Sequence, residues 1–188
     1  MFEQFFPYEY AQSVFAIDYE KLYRLGYRGL IFDVDNTLVH HGDPSNDEVE
    51  GLFRRLHARG FKTVLLSDND APRLEAFTAN MDVPYVADAE KPSTAGYETA
   101  LKVLGVDKGE AIVIGDQMFT DIRGANASGL ASILVHFIML PGERRIGKRR
   151  YVEKALLALW RRSKRWHGRL GSIEVTEATT GESAPASR

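Results

Sequence analysis

Short apolar runs recur along the chain, and stretches with helical patterns separate them. Five of these runs predict buried strands, at residues 28–33, 61–66, 83–86, 111–114 and 131–135. The segments between them carry helix signals, at residues 18–25, 46–57, from 72 onward, 94–104 and 121–127. Strands that alternate with helices form a parallel sheet with right-handed crossovers. The sequence therefore predicts an α/β fold with a five-stranded parallel sheet and helices on both faces.

The two ends of the chain have a different pattern. Residues 2–10 are rich in aromatic side chains and contain Pro7, which predicts an extended or loosely helical lead-in. Residues 151–166 are helix-periodic, with Val152, Ala155 or Leu156, Leu159 and Trp166 on one face. We therefore predict three regions: a domain at 1–142 that includes the lead-in, a basic amphipathic helix at 143–169, and a disordered tail at 170–188.

Composition narrows the class of protein. With 188 residues, 44% of them hydrophobic, the chain can bury one core of ordinary domain size. It has no cysteine, so a metal ion would need oxygen or histidine ligands. We find neither an apolar run of about 18 residues nor a signal-peptide pattern at the start. We expect a cytoplasmic protein that is soluble or peripheral at a membrane.

Charge is distributed unevenly. Residues 1–142 hold 12 Lys and Arg against 21 Asp and Glu, a net charge of −9, whereas residues 143–169 hold 11 against 2, a net charge of +9. The basic segment could lie on an anionic membrane, bind nucleic acid, or simply pack its apolar face on the domain. The charge pattern leaves these three interpretations open.

The first predicted strand ends in two aspartates. Asp33 and Asp35 are separated by one residue, so both carboxylates point to the same side of the strand. Later strand ends add a hydroxyl at Ser67 and further carboxylates at Asp116 and Asp121, and the third connection adds the ammonium of Lys91. Each of these has an ordinary explanation as a turn or surface residue. In this order, at one edge of a sheet, they favour a site for phosphoryl transfer.

The same residues resemble the four motifs of the haloacid dehalogenase (HAD) superfamily of aspartyl-phosphate phosphatases. The motifs appear as Asp33-Val34-Asp35-Asn36-Thr37, Ser67, Lys91 and Gly115-Asp116-Gln117-Met118-Phe119-Thr120-Asp121. The resemblance covers about residues 5–140 and implies a Rossmann-like fold. The stretches FDVDNTLV, Lys91-Pro92, GDQMFTD and FFPYEYAQSVFAIDYEKL are similar to a YqeG-like subgroup, which is related to mitochondrial phosphatidylglycerophosphate phosphatases.

The resemblance implies a role for each motif residue. Asp33 would be the nucleophile, and Asp35 would protonate the leaving group and then activate water. Mg²⁺ would be held by the carboxylates of Asp33 and Asp116 and by the backbone carbonyl of Asp35. Ser67 and Lys91 would bind and neutralise the phosphoryl group. HAD ATPases have threonine at the second aspartate, so the acid in this chain favours hydrolysis.

Two neighbouring positions complete the implied site. Asn69 is a further candidate donor to phosphate, although Asp68 beside it adds negative charge. Asp121 is expected to orient Lys91 or a metal-bound water. The segments 39–61 and 67–91 are too short for a cap domain, so we expect an open site that suits a large or surface-bound phosphoester.

We therefore predict a capless, Mg²⁺-dependent phosphatase, and the resemblance implies phosphatidylglycerophosphate or a similar phospholipid monoester as substrate. One alternative is a phosphatase for a soluble sugar phosphate, nucleotide or phosphoprotein. Another is an interaction protein that holds RNA or a ribosomal partner through its basic segment. His40 and His41 lie just past the first motif, where a solvated pair is favoured over contact with substrate.

Overall fold

A six-stranded parallel sheet forms the centre of the computed structural model, which describes residues 2–139 and 148–175. The strands are β1 (Glu9–Ala11), β2 (Gly29–Phe32), β3 (Lys62–Leu66), β4 (Tyr85–Val86), β5 (Ala111–Gly115) and β6 (Ala131–Val135). Their order across the sheet is β1-β6-β5-β2-β3-β4, and every neighbouring pair is parallel. The strand that carries Asp33 at its end therefore lies in the interior of the sheet.

The prediction of five strands was wrong by one edge strand. β1 pairs with β6, with Glu9 opposite Ile133 and Ala11 opposite Val135. It begins near the end of the aromatic lead-in and is only three residues long, too short to show a strand pattern in the sequence. Its strand conformation comes from pairing with β6, a contact that the local sequence does not reveal.

Within the described residues, six α-helices accompany the sheet. They are α1 (Tyr19–Arg24), α2 (Asp47–Arg59), α3 (Ala71–Thr78), α4 (Thr94–Leu104), α5 (Arg123–Ala127) and α6 (Lys148–Arg162). Two of these helices begin at capping side chains: Asp18 accepts a hydrogen bond from the amide of Lys21, and Asn46 accepts one from the amide of Val49. The predicted helix at 121–127 is preceded by a wider π-helical turn, Met118–Ile122, which then continues as α5.

The helices cover both faces of the sheet, as predicted. Alternate side chains of β2 enter different cores, Leu30 and Phe32 on one face and Ile31 on the other. The first core also holds side chains from α1, α2 and α3, and the second holds side chains from α4 and α5. Residues 33–61 contain α2 as their one regular helix, and residues 67–90 contain α3 and β4. Neither segment forms a cap.

α6 packs on the domain through a face that differs from the predicted one. Leu156 and Trp160 are 4% and 1% exposed, and Leu156 joins a cluster with Met118, Ile122 and Leu134. Val152 and Leu159, which we placed on the apolar face, are about half exposed. The predicted face was right at Leu156 and wrong at Val152 and Leu159, because the buried side of the helix also includes the charged Glu153. The helix ends at Arg162, so Trp166, which we placed on the same face, lies beyond it. Residues 143–147 of the predicted basic segment lie outside the described residues.

The segment after Gly171 is ordered where the structure describes it. Glu174 forms an antiparallel bridge with Ile17, the carbonyl of Ile173 accepts a hydrogen bond from the amide of Asp18 (2.6 Å), and the Ile173 side chain is 1% exposed. The prediction of disorder at 170–188 was therefore wrong for residues 170–175, and residues 176–188 lie outside the described residues. Across the described part of the chain, no helix is both long enough and apolar enough to cross a membrane.

Candidate active site

The carboxyl end of β2 delivers Asp33 and Asp35 to one cleft. The amide of Asp33 donates to the carbonyl of Ile114 (2.9 Å), so pairing with β5 continues up to the first aspartate. Asp33 is 7% exposed, whereas Asp35 is half-buried, and both line the same cleft. The structure thus confirms that the two aspartates face the same side.

Lys91 is buried against two carboxylates. Its Nζ lies 2.6 Å from Asp33 Oδ1 and 2.8 Å from Asp121 Oδ1, and its side chain is 5% exposed. Burial favours loss of the proton, but Asp121 and Asp33 outweigh that effect and raise the pKa of Lys91 well above its usual value. Lys91 is therefore a fixed positive charge beside Asp33.

Ser67 and Asn69 extend the site from the end of β3. Asn69 donates to Ser67 Oγ through both its amide (3.2 Å) and its side chain (3.0 Å), and Ser67 is buried. The exposed Asp68 between them accepts a hydrogen bond from the amide of Lys91 (2.8 Å). This contact fastens the loop that carries Lys91 to the end of β3.

Asp35 is held in its ionised form by hydrogen bonds. Asn69 Nδ2 donates to Asp35 Oδ2 (2.7 Å), and the amide of Gly42 donates to Asp35 Oδ1 (3.0 Å). Burial works to raise the pKa of Asp35, but these two hydrogen bonds, with His41 and Arg73 nearby, outweigh it and lower the pKa. His41 Nδ1 is 3.4 Å from Asp35 Oδ2, so this exposed histidine reaches the cleft.

Asp33, in the wall of the cleft, meets two further buried carboxylates that lie behind it. One oxygen from each of Asp33, Asp116 and Asp121 lies within 4.8 Å of the others. The Thr37 hydroxyl donates to Asp33 Oδ2 (2.8 Å) and lies 3.4 Å from Asp116 Oδ1. Burial raises the pKa of both Asp33 and Asp116, and neighbouring carboxylates raise it further. Lys91 acts in the opposite direction on Asp33, and Arg150 does so on Asp116.

This donor set fits a hard divalent cation. Mg²⁺ prefers oxygen ligands and is commonly bound through one or two carboxylates. Burial, aided by neighbouring carboxylates, raises the pKa of Asp33 and of Asp116, so their ionised forms are costly and a bound divalent cation would favour them. Gly115 makes the arrangement possible, because a β-carbon there would lie 2.6 Å from the β-carbon of Asp121.

The cleft itself is open and small, with a volume of about 190 Å³. Its lining residues are Asp33, Asp35, Asn36, His41, Ser67, Asp68, Asn69, Lys91, Gln117 and Thr120. All seven predicted site residues therefore gather at the carboxyl edge of the sheet, with Asp116 and Asp121 behind the cleft rather than in its wall.

Comparison with known proteins agrees with this arrangement. A family model described as HAD-hydrolase-like matches residues 89–137. "Probable phosphatase YqeG" of Bacillus subtilis (strain 168) is 33% identical over 137 residues, which cover 72% of this chain and 80% of that protein. The chain belongs to the haloacid dehalogenase superfamily, among the YqeG-like phosphatases.

Two further matches extend the comparison for this HAD phosphatase. "Phosphatidylglycerophosphate phosphatase 1, chloroplastic/mitochondrial" of Arabidopsis thaliana is 28% identical over 167 residues, and the chain spans 48% of that protein's length. The crystal structure of an uncharacterized protein from Listeria monocytogenes serotype 4b matches with a TM-score of 0.50 at 19% identity. That match covers 70% of this chain and 98% of the other, and it supports the fold alone.

The structure of this HAD phosphatase adds two residues that the sequence prediction missed. Arg150, in the first turn of α6, forms an ion pair with the carboxylate of Asp116 and donates to the carbonyl of Asp116 (2.6 Å). Glu153 accepts a hydrogen bond from the amide of Met118 (2.9 Å). For Glu153 the sequence offered one signal: it is one of two acidic residues in 143–169, a segment with eleven basic residues. An acid in such a basic segment could have been expected to have a specific partner.

Proposed function

We propose that this HAD phosphatase hydrolyses phosphomonoesters through an aspartyl-phosphate on Asp33, with Mg²⁺ as cofactor. The observation that carries the proposal is the environment of Asp33, which is buried between the Lys91 ammonium and the Thr37 hydroxyl while Asp35 lines the same cleft. A carboxylate held by two donors is oriented for attack, and the neighbouring ammonium offsets the charge of an incoming phosphate.

The reaction has two steps. In the first, an oxygen of Asp33 forms a bond to phosphorus, the bond from phosphorus to the leaving oxygen breaks, and Asp35 gives that oxygen a proton. In the second, water attacks the phosphorus, Asp35 takes a proton from the water, and the bond to Asp33 breaks to release inorganic phosphate. Lys91, Ser67 and Asn69 bind the phosphoryl oxygens throughout.

Asp35 must hold a proton in the first step, although its pKa is lowered in the free protein. A phosphate dianion in the cleft brings negative charge close to Asp35 and raises the pKa of its carboxyl group. The bound phosphate also competes for the side-chain amide of Asn69, which in the free protein donates to the carboxylate of Asp35 (2.7 Å). Substrate binding therefore favours the protonated form that the first step needs.

The metal ion would be held by Asp33 and Asp116, with the backbone carbonyl of Asp35 as a third ligand. When bound, Mg²⁺ neutralises charge so that an anionic carboxylate can approach an anionic phosphate. Asp121 stays hydrogen-bonded to Lys91 (2.8 Å) and to the amide of Gln117 (3.0 Å), which gives it an orienting role.

For the substrate we propose a phospholipid monoester such as phosphatidylglycerophosphate. The name of the Arabidopsis relative supports this class. The absence of a cap between β2 and β4 supports it as well, because an open cleft can approach a headgroup that stays in a bilayer.

The outward face of α6 suits contact with such a bilayer. Tyr151, Val152 and Leu159 are 61%, 52% and 47% exposed, and the exposed Arg161 and Arg162 follow at the end of the helix. Apolar side chains flanked by arginines bind the interface of anionic membranes. The ion pair of Arg150 with Asp116 places the start of this helix at the active-site edge of the sheet.

The test measures Mg²⁺-dependent release of phosphate from phosphatidylglycerophosphate in anionic liposomes and, in parallel, from p-nitrophenyl phosphate. We expect a strong preference for the lipid, and we expect Asp33→Asn to abolish both activities while circular dichroism shows an unchanged fold. Release from the small ester alone would discard the lipid and leave a soluble phosphoester as substrate. Persistent activity of Asp33→Asn would remove Asp33 as nucleophile.

A paired variant separates the membrane face from the chemistry. Replacing Val152 and Leu159 with aspartate should reduce liposome binding and lipid turnover but leave p-nitrophenyl phosphate hydrolysis unchanged, because both side chains are exposed. Equal losses on the two substrates would count against a membrane role for α6.

A further inference from the structure

Two side chains of α6 hold the loop that follows β5. Arg150 contacts Asp116 twice, with one nitrogen on its carbonyl oxygen (2.6 Å) and the other on Oδ2 of its carboxylate. Glu153 accepts from the amide of Met118 (2.9 Å) and pairs with Arg150 (3.0 Å). The loop is therefore fastened to α6 at Asp116 and again two residues later.

These contacts are shielded from water. The side chains of Arg150, Glu153 and Asp116 are 14%, 10% and 0% exposed. A buried ion pair that also satisfies backbone groups is costly to break, because each partner would be left unpaired away from solvent. The contacts of Arg150 and Glu153 with the loop after β5, which we call the clamp, therefore belong to the packed interior of the protein.

The clamp uses one carboxylate oxygen of Asp116 and leaves the other facing the active site. Arg150 contacts Oδ2, whereas Oδ1 lies 3.4 Å from Thr37 Oγ1, the hydroxyl that donates to Asp33. A carboxylate can accept from an arginine on one oxygen while the other remains available as a ligand. The guanidinium therefore orients Asp116 from behind without occupying the side toward Asp33.

We propose that Arg150 and Glu153 are positioning residues for Asp116, so that docking of α6 and binding of Mg²⁺ at Asp33 and Asp116 stabilise each other. The inference rests on the metal site proposed above. Residues that orient metal ligands through hydrogen bonds commonly affect metal affinity by about 10–100-fold. Because coupling between two events is reciprocal, the metal must also stabilise the docked helix by the same factor.

The first experiment measures Mg²⁺ affinity by isothermal titration calorimetry on the full chain, without substrate. We expect Arg150→Met and Glu153→Ala to weaken binding by about tenfold or more. The conservative Arg150→Lys and Glu153→Gln should recover part of the affinity, since each keeps a donor or an acceptor for the loop. Arg149→Met is the matched control: it removes an exposed arginine from the preceding position and should leave the affinity unchanged.

The second experiment measures hydrogen exchange in α6 with and without Mg²⁺. In the wild-type protein, the metal should slow exchange of the amides of 148–162, and this protection should disappear in Arg150→Met. A merely structural role would weaken packing equally in both conditions. Circular dichroism of each variant verifies that the domain is folded.

The outcomes separate the two proposals. Arg150→Met protein that binds Mg²⁺ as tightly as the wild type would overturn the positioning role. Tighter binding by this variant would overturn it as well and would make Arg150 a competitor of the metal. Absence of Mg²⁺-dependent protection in α6 of the wild type would overturn the coupling. Wild-type protein that binds no Mg²⁺ would overturn the inference together with the metal site.

Discussion

Replacing Gly115 with alanine should displace Asp121 from the active site. The added β-carbon would lie 2.5–2.6 Å from three atoms of the Asp121 side chain, whereas ordinary contacts between carbon atoms are about 3.5–4.0 Å. Asp121 must therefore retreat by about 1 Å. It is 1% exposed and hydrogen-bonded to Lys91 and to the amide of Gln117, so the movement disturbs both partners.

The size of the effect follows from the overlap. Forcing an extra methyl group into a packed site costs roughly 1–3 kcal/mol in the free energy of unfolding. A shift of about 1 Å in a group that orients catalytic residues can cost roughly 100-fold in rate. For Gly115→Ala we expect the first loss in the free energy of unfolding, measured with urea, and the second in kcat/KM for p-nitrophenyl phosphate. Gly109→Ala is the control, because a β-carbon there meets nothing within 4 Å.

A double variant tests whether collision with the Asp121 side chain causes the effect of Gly115→Ala. In an Asp121→Gly background, the three atoms nearest to the new methyl group, all of them in the Asp121 side chain, are absent. Gly115→Ala should then cost almost nothing in unfolding free energy, a strong departure from additivity. If Gly115→Ala costs as much in that background as in the wild type, the collision with Asp121 is not the reason for its effect.

Three other predictions test α6 and the charged groups. Trp160→Ala should lower the free energy of unfolding by about 3–5 kcal/mol and the exposed Leu159→Ala by less than about 1 kcal/mol, as measured by urea denaturation; equally small losses would show that α6 is not part of the cooperative fold. Burial, aided by nearby carboxylates, raises the pKa of Asp116 above its unfolded value of about 3.9, so without metal the protein should lose stability as pH rises from that value through the folded pKa. In EDTA, Asp116→Asn should reduce this fall, and Asp33, whose pKa is also raised, should keep its own contribution; an unchanged slope would contradict the assignment. Asn69→Ala should raise the pKa of Asp35 in a carboxyl NMR titration, since the carboxylate loses its shortest hydrogen bond (2.7 Å); an unmoved titration would contradict this.

Much of the candidate site was predictable because the side chains that follow the strands of a parallel sheet meet at the carboxyl edge of that sheet. The apolar runs located the five strands from β2 to β6, and order along the chain was enough to place Asp33, Ser67 and Asp116 at one edge. Local signals also placed the helix starts, since Asp18 and Asn46 cap helices through hydrogen bonds within three residues. In each case the deciding interaction lies within a few residues, or repeats with the period of the element.

The tertiary structure decided what depends on contacts far apart in sequence. β1 is a strand because β6 lies beside it, and Ile173 is buried because residues 171–175 run along the segment at Ile17. The predicted face of α6 was partly wrong because the buried side of the helix includes Glu153. A hydrophobic pattern assigns a glutamate to the exposed side, but Glu153 accepts a hydrogen bond from the backbone amide of Met118, 35 residues away. The sequence by itself determined which chemical groups the site contains. Packing determined which charge faces each of them, and so placed Arg150 behind Asp116.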